Sequence, residues 1–364
     1  MKKSKLLLLG LLPLVLASCG ENGGIKKTYE AVSPENQQKM SQALTNVATA
    51  EGLGVELALN NYSMKFNQTY EGETHSMSVS NLKGNAKVQY ANLDLDDLTK
   101  FEGLLEVNGL NGTIKSDDKT VSFKSASLGA YVKEDTIYLN SSDEALRKSI
   151  KNIVMIGLGS FTGSEAAQME TMIDQMLEAI PGKAKVADMT FTQLVGLIAS
   201  IIGGQSLSTY EEVEEPVANP FDKYIQMINA LNDEIHFYGV TEREDGGLDF
   251  ELTITKTTLE SILNMIYGPD DENTETIGYT MGLFNSLGVQ VKMSVSKELL
   301  FESLSVKANL DMSQKEVTSE YTNTMALKAN LDASVKFSFN QPVEFPSDLS
   351  SYKDFYFSSI IPNN

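Results

Sequence analysis

Hydrophobic positions follow two different periods along this chain, and each period predicts a different kind of element. From Met325 to Phe339 every second residue is apolar, while almost all of the residues between them are polar. Strict alternation of this kind is typical of a half-buried β-strand. A strand this long exceeds the usual length of about five or six residues, and sheets of long strands twist and coil strongly. We therefore predict an α+β protein with a strongly curved antiparallel β-sheet.

Similar alternation begins at Val55 and continues, with interruptions, to Leu139. Turn residues separate these runs. The pair Asn111-Gly112 predicts a tight hairpin, because both residue types tolerate the positive φ angles of the favoured two-residue turns. The segment Ser116-Asp117-Asp118-Lys119 predicts another loop, and Asp245-Gly246-Gly247 predicts a second hairpin further along the chain.

The middle of the chain has a helical period instead. Ser33 followed by Pro34 predicts a helix cap and first turn. We predict helices at 34–50, 143–154, 164–180, 192–202, 221–231 and 258–267. The helical stretch at about 142–204 is an insertion, and an acidic connection follows it at about 205–220. Both belong to a single α+β domain at 34–364.

The N-terminus has the layout of a secretory signal at residues 1–18, with three lysines before an apolar run from Leu6 to Leu16. That run is too short to span about 30 Å of hydrocarbon. The sequence Leu16-Ala17-Ser18-Cys19 resembles the lipobox of bacterial lipoproteins. The resemblance implies a diacylglyceryl group on Cys19, cleavage before that residue, and a lipidated tether at 19–33. The alternative is an ordinary signal peptide with a chance cysteine after its cleavage site.

Composition excludes several classes of function. The formal net charge is −20, and Arg147 and Arg243 are the only arginines, so nucleic acid is not an expected partner. The single cysteine rules out an internal disulfide and a cysteine-based metal cage. His75 and His236 are far apart and lack the spacing of a zinc site. We find no catalytic motif, so we expect no enzyme activity, no metal and no cofactor.

The order of these features resembles that of the LolA/LppX-like lipoproteins. The resemblance rests on the lipobox, the long alternating strands, the strand-then-helix passage Leu252–Leu259, and a terminal Asn340-x-Pro342-Val343-x-x-Pro346 segment. It implies an open half-barrel whose helices cover the concave face of the sheet. The space between sheet and helices then receives acyl chains. The helical insertion is larger than such a half-barrel requires.

The candidate lipid-contacting residues lie on two helices and the last long strand. The first helix is rich in methionine, a flexible side chain suited to exchangeable apolar partners. The second is apolar almost all round, which indicates burial, a cavity wall or a membrane contact. The candidate cavity-lining residues are Met169, Met172, Ile173, Met176, Leu177, Leu194, Leu197, Ile198, Ile201, Leu327, Leu331 and Val335. The alternative is that both helices are packed permanently on the sheet.

Two functions fit this pattern. The first is an extracytoplasmic lipoprotein, anchored through Cys19 to the surface or periplasmic face of a bacterial membrane, that binds or carries a lipid-like ligand between sheet and helices. The second is a non-enzymatic surface lipoprotein with a filled core, whose outer face binds another protein or an envelope component. The sequence does not identify that protein partner.

Overall fold

The computed structural model describes residues 29–359, apart from 71, 95–96, 118, 145, 148, 152–162, 204–221, 268–270 and 318–321. Three predicted features lie outside the described residues. They are the signal peptide, Cys19 with most of the tether, and the acidic connection at about 205–220.

A single twelve-stranded sheet forms the body of the protein. Its strands are β1 (Leu53–Tyr70), β2 (Glu73–Ala91), β3 (Glu102–Ser116), β4 (Lys119–Lys133), β5 (Thr136–Asn140), β6 (Lys183–Val186), β7 (Tyr238–Glu242), β8 (Leu248–Thr255), β9 (Phe284–Val295), β10 (Phe301–Val317), β11 (Thr322–Phe339) and β12 (Lys353–Phe355). Their spatial order is β12-β6-β5-β4-β3-β2-β1-β11-β10-β9-β8-β7. Neighbouring strands are antiparallel, except that β12 runs parallel to β6. The predicted α+β class and antiparallel sheet are confirmed, and the sheet is open, with edges at β7 and β12.

Helices follow the predicted pattern with one omission. They are α1 (Pro34–Ala48), α2 (Gly163–Ala179), α3 (Phe191–Gly203), α4 (Asp222–Ile235), α5 (Lys256–Tyr267) and α6 (Asp271–Gly282), and the described residues of 144–151 are also helical. Ser33 caps α1 as predicted, because its Oγ accepts a hydrogen bond of 3.2 Å from the Asn36 N–H. The sequence pattern did not predict α6.

The two faces of the sheet differ in polarity. The odd-numbered residues from Met325 to Phe339 in β11 point to one side, together with their cross-strand neighbours. We call this side the apolar face. The other side, the polar face, has charged pairs such as Lys328 Nζ with Asp311 Oδ2 at 2.6 Å. The strand predicted from strict alternation is therefore confirmed.

Four adjoining strand pairs shift register at the same level of the sheet. The shift lies at Asn60 between β1 and β11, within 59–64 between β1 and β2, within 80–85 between β2 and β3, and within 107–112 between β3 and β4. An extra residue at a β-bulge bends its strand and increases the local twist. These irregularities therefore form a line across the long strands.

The hairpin predicted at Asn111-Gly112 is wrong. Both residues lie within β3, inside its irregular segment, and the chain reverses instead at Asp117, whose φ is 49°. The loop predicted at Ser116–Lys119 is therefore confirmed. Gly112 has a φ of 144°, and a Cβ at this position would lie 2.7 Å from the Cα of Leu82 on β2. Glycine is thus required here for a close approach between strands rather than for a turn. The hairpin predicted at Asp245-Gly246-Gly247 is confirmed between β7 and β8.

One group of helices covers the apolar face near β7 to β10. Helix α1 packs by Ala43, and α4 packs by Leu231. The buried residues of these two clusters are Ala43, Leu248, Phe250, Val295 and Phe301 for the first, and Val32, Leu231, Phe237 and Tyr238 for the second. A second group covers β4 to β6, where Leu146 packs on Val121 and α3 packs by Leu194 next to Ala184.

The first described residues pass around the β7 edge of the sheet. The hydroxyl of Tyr29 lies 2.9 Å from the Oγ1 of Thr253, a polar-face residue of β8. Val32 is buried against Leu252 on the apolar face. Covering an edge strand in this way shields backbone groups that could pair with another chain. Residues 29–33, at the end of the predicted tether, therefore pack on the domain.

Acid should weaken the fold through carboxylates that are stabilised in the native state. The backbone N–H groups of Ser358 and Phe357, each 2.8 Å from Asp188, lower the pKa of that carboxyl. Gly247 N–H and then Arg243 lower the pKa of Asp245. A pKa that is lower in the folded chain adds stability above the unfolded value of about 4, and this stability is lost as the pH falls through the folded pKa.

We expect the midpoint of urea unfolding, measured by circular dichroism, to be lower at about pH 3 than at about pH 5. These two pH values lie about one unit below and above the pKa of an ordinary carboxyl group. The Asp188→Asn variant should show a smaller fall, because its amide does not titrate. A midpoint that is unchanged or higher at the lower pH would contradict this expectation.

Candidate functional site

The centre of the apolar face is formed by β11, β1, β2 and β3, and two cross-strand rows of apolar residues run across it. One row consists of Phe337, Val55, Val88, Leu105 and Ala130, and the next consists of Val335, Leu57, Ala86, Val107 and Leu128. Neighbours within a row lie about 4.5–5.5 Å apart at Cβ. The rows therefore make a continuous apolar floor between the two groups of helices.

Three large side chains of this floor are exposed. The exposed fractions are 38% for Leu57, 41% for Val88 and 43% for Leu105. Val88 and Leu105 are directly opposite each other, and Leu57 is diagonal to Val88. Scattered apolar residues on a surface are ordinary, but a contiguous apolar patch indicates an interaction site. We call Leu57, Val88 and Leu105 the central apolar strip.

An aromatic stack borders the strip. Tyr90 is two residues from Val88 on the same face, and its ring lies 6.5 Å from that of Phe101. Phe101 in turn stacks on Phe191 at 4.8 Å with nearly parallel rings. Because Phe191 is the first residue of α3, the stack fixes the beginning of that helix beside the strip.

The two helices predicted to contact lipid each have a packed side and an exposed apolar side. In α2, Ile173 is buried while Met172 is exposed. In α3, Leu194 packs on the core cluster of β5 and β6, while Leu197 and Ile198 are exposed. The remaining predicted residues of α2 and α3 are Met169 and Leu177, which are half-buried, and Met176 and Ile201, whose side chains are outside the described part of the chain.

Helix α2 is held by the preceding helical segment. The guanidinium of Arg147 donates to the carbonyls of Leu177 and Ile180 at the end of α2. Cations are favourable at this end of a helix, where the backbone carbonyls lack partners. Lys151 Nζ also lies 2.7 Å from Asp174 and 2.9 Å from Glu170. These contacts orient the exposed Met172 side of α2.

The predicted residues of β11 lie at different distances from the strip. Leu327, Leu331 and Val335 are all half-buried on the apolar face. Val335 is directly opposite Leu57 and so adjoins the strip. Leu331 instead packs on the core cluster that includes Val306. The strand therefore brings one of its three candidates into the site.

On the polar face the C-terminal segment closes over β2 to β5. Gln89 is buried and donates a hydrogen bond of 2.8 Å to the carbonyl of Pro342, while Lys87 pairs with Glu344 at 2.6 Å. A depression of about 310 Å³ lies beside them, lined mainly by polar-face residues such as Glu56 and Lys336. A second depression, of about 330 Å³, is formed by α2 alone and includes Met172. The lining of the first depression includes Leu57 of the central apolar strip, and the linings of both depressions lack Val88 and Leu105.

Ionisable groups are used mainly in structural contacts. The Tyr131 hydroxyl donates to Glu106 at 2.9 Å, and burial, followed by this hydrogen bond, raises the pKa of Tyr131. His75 Nδ1 lies 3.4 Å from Asp117 on an exposed turn. Within the described residues, no three His, Cys, Asp or Glu side chains are grouped to hold a metal ion.

The three strip residues lie within the alternating segment that begins at Val55, but none of them is among the predicted site residues. Periodicity shows which face a residue occupies, whereas its exposure depends on where the helices lie. A sequence signal for an uncharged face was nevertheless present. The alternating positions Val55, Leu57 and Leu59 are all apolar, and their partners on β2 carry no charge.

The chain matches no protein-family model, no curated protein and no solved structure. In the described part of the chain, every helix is too short or too polar to cross a membrane.

Proposed function

We propose that this protein is a membrane-anchored extracytoplasmic lipoprotein that binds or carries a hydrophobic, lipid-like ligand between its sheet and its helices. The observation on which this rests is the central apolar strip. Leu57, Val88 and Leu105 are exposed in the middle of a twelve-stranded sheet, although helices bury the same face at both ends. Removing apolar surface from water stabilises a complex by about 25 cal/mol per Å². A hydrocarbon ligand that covers the strip is therefore favoured.

The line of register shifts supports a curved sheet for this purpose. Bulges at Asn60, 80–85 and 107–112 occur in neighbouring strands at one level, and aligned bulges are a means of bending long strands in the same direction. In our proposal the sheet is a half-barrel, its apolar face is concave, and the helices cover this face. The ligand then lies on the strip with α2 and α3 beside it.

The chemistry of the floor indicates which part of a ligand it accepts. The two cross-strand rows contain aliphatic and aromatic side chains and no hydrogen-bonding group apart from the backbone. Such a surface favours acyl chains or other extended hydrocarbon over charged or sugar groups. Met172, Leu197 and Ile198, exposed on the neighbouring helices, add an apolar wall that can adjust its shape.

The anchor in this proposal is Cys19. Two acyl chains on one residue are enough for stable membrane attachment. Because the chain has a formal charge of −20, an anionic membrane repels it, and the acyl chains rather than electrostatics hold it at the surface.

The rigid attachment of α2 favours a second candidate, a surface lipoprotein that binds another protein. The bonds from Arg147 and Lys151 hold α2 in place, and Ile173 is buried beneath it. A helix fixed in this way need not move to admit a ligand. In this version the strip is covered by a side chain or strand of the partner.

Extraction of the purified, anchored protein with organic solvent distinguishes the two candidates. The acyl groups of Cys19 stay covalently attached, so mass spectrometry of the extract reports only lipids bound without a covalent bond. We expect about one lipid molecule per chain, the amount that one strip of this size accommodates. An extract without stoichiometric lipid, and no uptake of added fatty acid or phospholipid, would favour the protein-binding candidate.

A further inference from the structure

The exposed apolar residues of α4 and α5 are separate from the central apolar strip. Helix α4 leads into β7, and α5 starts directly after β8, so the end of α4 and the start of α5 lie at the same end of this antiparallel strand pair. We call the other end of each helix its remote end. Met227 and Ile228 are exposed near the middle of α4. Met265, Ile266 and Tyr267 are exposed at the remote end of α5. We call these five residues the α4–α5 tip.

The exposed apolar residues at the end of α5 are distributed around the helix and do not form one amphipathic face. Met265, Ile266 and Tyr267 are consecutive, so they point in directions about 100° apart around the helix and cannot share one side. Ile266 is 52% exposed and Tyr267 is 59% exposed. The whole end of α5 is therefore apolar. The sequence windows 224–232 and 261–267 contain no charged residue, although charged residues flank them at Asp222, Lys223, Asp233, Glu260 and Asp270.

The position of the anchor identifies what the tip contacts. Tyr29 is attached to β8 by its hydrogen bond to Thr253, two residues before Thr255 and the start of α5. Ten peptide steps separate Cys19 from Tyr29. They span at most about 35 Å when extended, whereas the twelve residues of α5 are about 18 Å long. A lipid on Cys19 can therefore hold the tip against the membrane surface.

We propose that the α4–α5 tip inserts into the interface of the membrane that holds Cys19. This inference rests on the lipid anchor of the proposed function and names the bilayer as the partner of this surface. Tyrosine suits the boundary between headgroups and acyl chains, because its ring is apolar and its hydroxyl is polar.

The absence of tryptophan from the sequence permits a direct test. Tyr267→Trp places a single tryptophan at the tip, and Tyr356→Trp places one at the opposite edge of the sheet, where Tyr356 is also exposed. Each lipidated, full-length mature variant is reconstituted in vesicles of brominated or ordinary phosphatidylcholine. Interfacial insertion to a depth of about 5–10 Å should remove about half of the Tyr267→Trp fluorescence in brominated vesicles and leave Tyr356→Trp unchanged.

Three outcomes would overturn the inference. They are equal quenching of both reporters, no quenching of Tyr267→Trp, and quenching that persists when Ile266→Glu is added. Met265→Trp serves as the second reporter if Tyr267→Trp does not fold. A second copy of the chain as the occupant would shield the tip from brominated lipid and so belongs to the second outcome.

The extracted-lipid assay is measured on the same variants, which separates this inference from the proposed function. Ile266→Glu is expected to abolish quenching while leaving the bound lipid unchanged. If the wild type carries no bound lipid while Tyr267→Trp is still quenched, the carrier function alone is contradicted.

Discussion

Replacing Leu105 with glutamate is expected to reduce the lipid recovered per chain by at least about tenfold. Leu105 lies in the central apolar strip, directly opposite Val88. A ligand that covers this position must remove a carboxylate from water, which costs several kcal/mol, whereas a tenfold loss of affinity requires only about 1.4 kcal/mol. The fold should tolerate the change, because the side chain is already exposed to solvent.

Asn85→Glu is the matched control for this variant. Asn85 is exposed on β2, three residues from Val88, and its side chain points to the polar face. The same negative charge is thus added close by, on the other side of the sheet. Mass spectrometry of the extracts should show bound lipid retained in Asn85→Glu and lost in Leu105→Glu. Equal retention in both variants, with unchanged circular dichroism, would exclude the strip as the ligand site.

Replacing Asn232 with leucine is expected to lower the free energy of unfolding by about 2–4 kcal/mol. Asn232 is only 1% exposed, and its side-chain amide pairs with both backbone groups of Tyr238. Oδ1 accepts from the Tyr238 N–H at 2.8 Å, and Nδ2 donates to the Tyr238 carbonyl at 3.0 Å. The amide therefore takes the place of a missing strand beside β7, the edge of the sheet. Leucine has a similar volume but satisfies neither group, and each unsatisfied buried group costs about 1–3 kcal/mol.

Urea unfolding followed by circular dichroism measures this loss. Asp233→Ala, at an exposed neighbouring position of α4, should change the free energy by no more than about 0.5 kcal/mol. A loss below about 1 kcal/mol for Asn232→Leu would show that water or another group pairs with Tyr238 in the variant. The pairing would then not be what fixes α4 to the edge of the sheet.

The failures of sequence interpretation have identifiable physical causes. In β2 the apolar positions are Met77 and Val79, then Ala86, Val88 and Tyr90, so the alternation changes phase between the two sets. The register shift within 80–85 restores both sets to one face of the sheet. A change of phase within a strand pattern is therefore a sequence signal of a bulge.

Helix α6 shows the opposite case, in which the local pattern is too weak to predict the element. Its sequence includes two glycines and three threonines, residues with low helix propensity. Ile277 and Met281 are nevertheless buried four residues apart on one side of the helix. Tertiary packing of these two side chains outweighs the local preference.

The sequence by itself determined the alternating strands, most of the helices and the Ser33 cap of α1, because periodicity and capping depend on residues that are close along the chain. It also supplied the prediction of a lipidated Cys19. Only the tertiary structure decided which apolar residues stay exposed, because burial depends on contacts between distant segments. The alternation at Val55 and Leu57 was evident from the sequence, yet Leu57 is part of the strip only because β1 pairs with both β2 and β11 and the helices cover the two ends of the sheet.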